Sequence, residues 1–345
     1  MDFRFAGRTA SCATLLTLMA AAVPAAQFFE CAVTPKVWFG DAQTSIGSIS
    51  FPAGSVFRND LERAIGRWNS IRGMSFEFDP IVTSPANFGS GNGRNELVFA
   101  TNARVDGALA VTRSIRHCFF GLVGMIAEAD IEFNVSSNWE TGFHDPTLVE
   151  GNPSFRFTAV HELGHFLGLD HEDNRMAVMM TTASAFWGEG GDVSHHPFPD
   201  DATGSRTLYS FSNDEADLAI SNFRFVGSNA TSLIVGGMQA VPRGGTFVTG
   251  FAFGNVGNTN IDTFNAVIVL SSNQIISSFD RVIANLTGFS TPGFYGDFTF
   301  TVGMPSNMPL GDFFVGAILD PQNAIAEERE SNNRVVFPQR IRVTP

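Results

Sequence analysis

One short segment holds most of the residues that could do chemistry. Residues 161–171 read His-Glu-Leu-Gly-His-Phe-Leu-Gly-Leu-Asp-His. Residues four apart on a helix lie on the same face, so His161 and His165 can share one cation. Gly168 can end the helix in a left-handed conformation, and the turned chain then brings back His171 as a third ligand. Three neutral imidazoles suit Zn²⁺ and leave its fourth position for water.

Glu162 follows the first histidine of this segment and indicates the kind of reaction. A carboxylate at this position can take a proton from the zinc-bound water and act as a general base. A purely structural metal site needs no such base. The alternative of three histidines buried in an amphipathic helix is disfavoured, because each imidazole would need another polar partner.

Two helices are predicted to position these residues. Ser154 can cap a helix from Phe155 to Leu167, which carries the histidine pair and stops at Gly168. Asp60 can cap an earlier helix with one apolar face. Short strand-like runs separate the two helices, and we expect them to form a sheet.

The histidine segment resembles the signature of the metzincin zinc peptidases. Met179 lies eight residues after His171, a spacing similar to the Met-turn of the matrixins, in which a methionine forms an apolar floor beneath the metal. Residues 106–110, 129–134 and 199–209 also resemble matrixin segments. The resemblance covers residues 36–210 and implies an α+β metzincin-like catalytic domain, with a mixed twisted sheet, an active-site helix and one catalytic Zn²⁺.

The same resemblance implies roles for residues outside the histidine segment. Leu109 and Ala110 would lie on the edge strand that holds an extended substrate peptide by its backbone. Asp200 and Asp201 would support the Met-turn. The expected partner is therefore a protein or peptide substrate.

Two departures from the matrixin pattern change these expectations. Val111 and Glu132 stand where matrixins place ligands of a second, structural zinc, so we expect that zinc to be absent. Ca²⁺ bound through Asp130, Glu132 or Asn134 is left open. Residues 180–183 replace the pattern that usually walls the specificity pocket, and substrate preference therefore cannot be carried over.

The first 25 residues are predicted to be a signal peptide. Arg4 and Arg8 precede an uncharged apolar stretch ending near Ala25, which is shorter than the roughly 20 apolar residues of a membrane span. A retained N-terminal anchor is the alternative. In an exported protein the remaining Cys31 and Cys118 most simply form one disulfide, and a Cys31 thiolate capping the zinc is the alternative. The expected location is secreted and extracellular, with the periplasm or the cell surface as variants.

The charge of the chain excludes other partners. Its 345 residues include 21 Lys plus Arg against 34 Asp plus Glu, a formal net charge of −13. Such a chain has no electrostatic footprint for nucleic acid or anionic lipid. Beyond the leader, no apolar run is long enough to span a bilayer.

The predicted secondary structure changes from mixed helix and strand to strand alone after a predicted linker at residues 211–216. Residues 217–345 read as strands broken by turns, which predicts an all-β, immunoglobulin-like sandwich. Residues 217–218, 255–258, 319–320 and 327–333 resemble the bacterial cell-adhesion-related module called CARDB. The resemblance implies a spacer or substrate-tethering role, with a surface ligand as a further partner.

These observations predict a secreted zinc-dependent endopeptidase that hydrolyses peptide bonds with metal-activated water and Glu162 as general base. The alternative from another class is an extracellular binding or adhesion protein whose metal domain is inactive or structural.

Overall fold

The computed structural model describes most of the chain. The described residues are 13–15, 35–71, 74–84, 89, 91–119, 123–141, 152–172, 177–181, 196–209, 215–221, 223–226, 229–232 and 238–345. Among them, no helix combines the length and the apolar character that a membrane crossing requires.

The first region, up to residue 209, is built on a mixed sheet. Strand β1 (Ala13–Leu15) belongs to the second region, and the strands of the first are β2 (Lys36–Val37), β3 (Ala42–Gly47), β4 (Phe78–Ser84), β5 (Asn95–Ala100), β6 (Ala110–Phe119) and β7 (Val123–Asn134). Their order is β2-β7-β5-β3-β4, all parallel, and β6 runs antiparallel along β7. Among the described strands β6 pairs only with β7, which makes it an edge strand.

Three helices accompany this sheet: α1 (Val56–Asn69), α2 (Phe155–Leu167) and α3 (Pro199–Leu208). Helix α1 begins earlier than predicted, because Ser55 is its N-cap and accepts a hydrogen bond from the Arg58 N–H. Asp60 lies inside the helix instead. Its carboxylate, 1% exposed, forms a 2.6 Å ion pair with Arg156 of α2. The predicted cap is therefore wrong, and the residue joins two helices.

Aromatic side chains fill the space between the helices and the sheet. The Trp68 indole of α1 donates a 2.9 Å hydrogen bond to the Val160 carbonyl of α2. Phe133 of β7 packs on Phe155 of α2 with ring centroids 4.7 Å apart. These contacts fix the angle of α2 against the sheet, because close-packed interiors leave little room for adjustment.

The second region consists of strands, as its sequence texture predicts. They are β8 (Leu218–Ser221), β9 (Phe223–Val226), β10 (Asn229–Ser232), β11 (Gln239–Pro242), β12 (Thr246–Asn255), β13 (Ile261–Ser271), β14 (Arg281–Ser290), β15 (Tyr295–Gly303), β16 (Gly311–Leu319) and β17 (Arg334–Thr344). One sheet has the order β1-β14-β13-β16-β17-β11, a second has the order β15-β12-β8, and β9 pairs with β10.

The two larger sheets share one hydrophobic core. Phe251 and Phe253 from β12 meet Ile268 and Leu270 from β13 within it. In β15 the side chains of Thr299 and Thr301 are exposed while that of Val302 is buried, as the alternation of its sequence indicates. The finer description as immunoglobulin-like stays a prediction.

Candidate metal centre

Local sequence signals define both ends of α2. The Ser154 hydroxyl oxygen accepts a 3.2 Å hydrogen bond from the Phe157 N–H at the N-terminus. At the other end Gly168 adopts φ of 101°, a left-handed conformation that glycine takes at little cost. The helix therefore has its predicted bounds, and the chain turns sharply after the second histidine.

The turn brings three imidazoles together. The Nε2 atom of His171 lies 3.1 Å from Nε2 of His165 and 3.3 Å from Nε2 of His161. Two nitrogens bound to a tetrahedral zinc at about 2.05 Å are themselves about 3.3 Å apart. Among the described residues, these three form the only group of three or more His, Cys, Asp or Glu side chains with donor atoms this close. The donor set and its spacing fit Zn²⁺.

Backbone carbonyls fix the orientation of two of these rings. His161 Nδ1 lies 2.6 Å from the Val178 carbonyl oxygen, and His165 Nδ1 lies 2.9 Å from that of Leu169. A carbonyl oxygen can only accept, so each Nδ1 carries the proton and each Nε2 offers its lone pair. Burial lowers the pKa of His165 well below its usual value, which favours the neutral, ligating form.

Glu162 lies beside the cluster with its side chain largely withdrawn from water. The residue is 5% exposed, and one carboxylate oxygen accepts a 2.6 Å hydrogen bond from the Thr112 hydroxyl. Burial raises the pKa of Glu162 to about 7, while the Thr112 hydrogen bond and the charge of His171 act in the opposite direction. A carboxylate with a pKa near neutrality is suited to exchanging protons at neutral pH.

Thr112 was missed by the sequence reasoning. It belongs to β6, and its partner is 50 residues away in the chain. A threonine in an edge strand is otherwise unremarkable as a sequence feature, so no local signal could have identified it.

Met179 packs against Gly164 of α2, which lies between the two helical histidines in the chain. A Cβ added to Gly164, between the two helical histidines, would lie 2.2 Å from the Met179 sulfur and 3.1 Å from the Trp68 ring. Only glycine allows this approach. Gly164 is a second residue that the sequence reasoning missed, although a glycine inside a helix is a recognisable signal of close packing.

Asp201 of α3 holds the backbone of the predicted Met-turn. Its carboxylate accepts hydrogen bonds from the N–H groups of Val178 (2.8 Å), Met179 (3.3 Å) and Phe198 (2.8 Å). Burial raises the pKa of Asp201 to about 8, with these hydrogen bonds acting in the opposite direction. Asp200 is also buried, and its charge adds to the increase.

The predicted substrate strand lies at the edge of the sheet. Ala110 begins β6, and Leu109 comes immediately before it, with its carbonyl accepting a 2.8 Å hydrogen bond from the Asn134 N–H. Thr112 joins this strand to α2 through Glu162. The predicted substrate strand is therefore joined by hydrogen bonds to the residue predicted as the general base.

Most oxygens of the residues considered for Ca²⁺ have protein partners, and the second Asp130 oxygen is buried without a hydrogen bond among the described residues. Both oxygens of Glu132 are ion-paired, one with Arg104 and one with Arg113. The Asn134 side chain donates to Asn102 and to the Ala108 carbonyl. One Asp130 oxygen accepts the Glu96 N–H. The described residues give the Ca²⁺ expectation no support.

Some expectations fall on residues outside the described part. Cys118 is disulfide-bonded, but its predicted partner Cys31 lies outside the described residues. So do residues 182–183 of the altered specificity segment and most of the predicted signal peptide.

A comparison with protein families matches much of the first region. Residues 53–210 match the Peptidase_M10 family, described as matrixin. This range includes the three histidines, Glu162 and Met179. No curated protein matches the chain.

The second region is similar to solved CARDB domains. One, from Pyrococcus furiosus and solved with two metal ions, is 16% identical with a TM-score of 0.27, covering 39% of this chain and 97% of that one. A domain of a putative cell surface protein from Methanosarcina acetivorans is 17% identical with a TM-score of 0.23, covering 31% of this chain and 82% of that one. The assignment of this region rests on its own motifs and sheets.

Proposed function

We propose that this chain, whose residues 53–210 match the matrixin family, is a secreted zinc-dependent endopeptidase. The observation that carries the proposal is the convergence of three histidine Nε2 atoms at 3.1 and 3.3 Å. A buried glutamate follows the first histidine, and it is hydrogen-bonded to Thr112 of β6, whose outer edge is unpaired among the described strands. These features supply a metal site, a general base and a peptide-binding surface.

Each part of the site has its own task in hydrolysis. Zn²⁺ bound by His161, His165 and His171 would polarise the scissile carbonyl and acidify a water molecule. Glu162 takes a proton from the attacking water and passes it to the leaving amine. Thr112 holds the Glu162 carboxylate by its hydrogen bond, and Met179 packs against Gly164 between the two helical histidines.

The peptide substrate is held by its backbone. Strand β6 offers the N–H and C=O groups on the side away from β7, and an extended chain pairs with them as an added strand. Main-chain pairing accepts many sequences, so side-chain preference must come from a specificity pocket, whose usual sequence pattern is replaced at residues 180–183. We infer a broad requirement for unfolded or extended polypeptide.

Export fits this chemistry. The predicted signal peptide at residues 1–25 and a disulfide at Cys118 suit an oxidising compartment. The second region, residues 217–345, would then accompany the peptidase outside the cytoplasm.

The proposal is tested with purified mature protein, denatured protein substrates and zinc analysis. Glu162→Gln should retain one zinc per chain and lose activity by about 10²- to 10⁴-fold, the usual contribution of a general base. His171→Ala should lose both zinc and activity. Glu77→Gln, an exposed acid outside the site, is the matched control and should behave as the wild type.

Two results would overturn the proposal. Equal cleavage by Glu162→Gln and wild type would exclude Glu162 as the base. Wild type that binds one zinc and cleaves no protein substrate would favour the extracellular binding or adhesion protein instead.

A further inference from the structure

We propose that the second region is a fixed support of the metal centre, acting through helix α3, rather than a module tethered to it. This inference rests on the metal site of the proposed function. The contact surface, named here the α3 interface, consists of Pro199, Thr203 and Arg206 on one side and Gly254, Val256 and Gly293 on the other.

Backbone of the second region approaches α3 very closely. A Cβ added to Gly254 would lie 2.3 Å from Cγ of Pro199, and one added to Gly293 would lie 3.0 Å from the Thr203 hydroxyl oxygen. Gly293 also has φ of +70°, which disfavours any other residue. Two glycines therefore allow the end of β12 and the turn before β15 to rest directly on the helix.

A hydrogen bond and apolar burial complete the α3 interface. Arg206 Nη1 donates to the Val256 carbonyl. The Val256 side chain is 1% exposed, and together with Ala219 it belongs to the hydrophobic core of the first region. Residues of the second region thus form part of the first region's interior, an arrangement that a freely tethered module would not need.

Another face of α3 contacts the predicted Met-turn of the metal centre. Pro199, Thr203 and Arg206 follow the i, i+4, i+7 spacing of one helix face. Asp201 projects from a different face and binds the N–H groups of Val178 and Met179. The helix therefore lies between the second region and the predicted Met-turn.

One further hydrogen bond completes the connection. The Val178 carbonyl oxygen lies 2.6 Å from Nδ1 of His161. Val256 is thus connected through Arg206, the backbone of α3, Asp201 and Val178 to the ring of His161, a proposed zinc ligand. Because packed interiors transmit small displacements, a cavity at the α3 interface should loosen the orientation of His161.

The test compares two valine truncations of the full-length mature protein. Val256→Ala removes methyl groups at the α3 interface, and Val315→Ala removes the same groups from a fully buried position in the core of the second region. The rate of zinc release to a chromogenic chelator is measured at a temperature at which both variants are folded. Val256→Ala should release zinc about 2- to 30-fold faster than wild type, the usual range for mutations that couple distant sites. Val315→Ala should release it at the wild-type rate.

A second variant tests the α3 interface without the risk that a core cavity prevents folding. Arg206→Gln removes the guanidinium contact with Val256 without creating an apolar cavity, and it should change zinc release in the same direction. The visible spectrum of the Co²⁺-substituted protein provides an independent readout of ligand geometry and should change for Val256→Ala and Arg206→Gln alone.

The outcomes separate the two proposals. If wild type binds no zinc, the proposed function fails and this inference fails with it. If wild type binds zinc and all three variants release it at the same rate, only the support role is wrong. Faster release by Val315→Ala equal to that of Val256→Ala would also overturn it, because the effect would then reflect general destabilisation.

Discussion

The two regions each contain a cluster of chemically capable side chains, half-buried in the first region and mostly buried in the second, and the clusters are built in opposite ways. In the first region three histidine nitrogens of the same kind converge within 3.1 and 3.3 Å. In the second region Asp217 accepts a 2.7 Å hydrogen bond from Asn332, and Glu327 accepts one of 2.7 Å from Asn333.

The difference distinguishes a ligand site from a structural brace. Acceptors that pair with amide donors satisfy one another and need no third species. Acceptors that face other acceptors require a cation or protons between them. The Asp217 and Glu327 cluster therefore fastens the start of β8 to the last turn of the second region, whereas the histidines are arranged for a metal.

The largest expected effect concerns the pH dependence of the second cluster. Burial raises the pKa of Glu327 to about 8, and the charges of Asp217 and Glu330 act in the same direction. The pKa of Glu327 is about 4.5 in the unfolded chain and about 8 in the folded protein. The contribution of this carboxyl group to stability is therefore complete below pH ~4.5 and is lost as the pH rises through about 8. The wild type should lose up to a few kcal/mol of stability from this group over that window. Thermal unfolding from pH 5 to 8 should show a steeper loss for wild type than for Glu327→Gln.

The exposed Glu62→Gln variant serves as the control for that slope. It should keep the wild-type dependence. Identical slopes for wild type and Glu327→Gln would show that Glu327 titrates normally and that the second cluster is more hydrated than its burial indicates.

A smaller effect is expected from breaking the amide pairing. Asn332→Ala leaves the buried Asp217 carboxylate without its 2.7 Å donor, which should cost about 1–3 kcal/mol of unfolding free energy. Zinc content should remain at one per chain. Denaturant unfolding and metal analysis of the same samples check both statements, and loss of zinc together with stability would contradict the division into brace and ligand site.

The smallest effect is expected at Thr112. Thr112→Val keeps the shape of the side chain but removes the hydroxyl that bonds Glu162 at 2.6 Å. We expect kcat to fall about tenfold, the value of one hydrogen bond to a charged group, with unchanged zinc content. Thr112→Ser restores the hydroxyl and should restore kcat. Equal rates for the valine and serine variants would exclude a positioning role.

Sequence reasoning succeeded where the signals are local. The bounds of α2 follow from Ser154 at one end and Gly168 at the other, and both act on neighbouring backbone groups. The convergence of the three histidines follows from helix geometry and one turn. Such features depend on residues only a few positions apart.

It failed where a residue's partner is distant in the chain. Asp60 was expected to cap α1 and instead pairs with Arg156, 96 residues away. The ion pairs of Glu132 with two arginines and the hydrogen bond of Thr112 to Glu162 were missed for the same reason, because these partners are also distant in the chain. A charged or hydroxyl side chain that becomes buried needs a hydrogen-bond or ion-pair partner, but only the fold decides which residue that partner is.

The end of α2 has a consequence for when the site can form during synthesis. The Tyr209 hydroxyl donates a 2.5 Å hydrogen bond to the Leu167 carbonyl, and the Trp38 indole donates one of 2.8 Å to the Phe166 carbonyl. The last turn of α2 is thus held by hydrogen bonds from one residue near the start of the first region and one at its end. A nascent chain in which Tyr209 has not yet been synthesised lacks one of these two hydrogen bonds. The site should therefore become competent for proteolysis late in biosynthesis, after nearly the whole first region has been made.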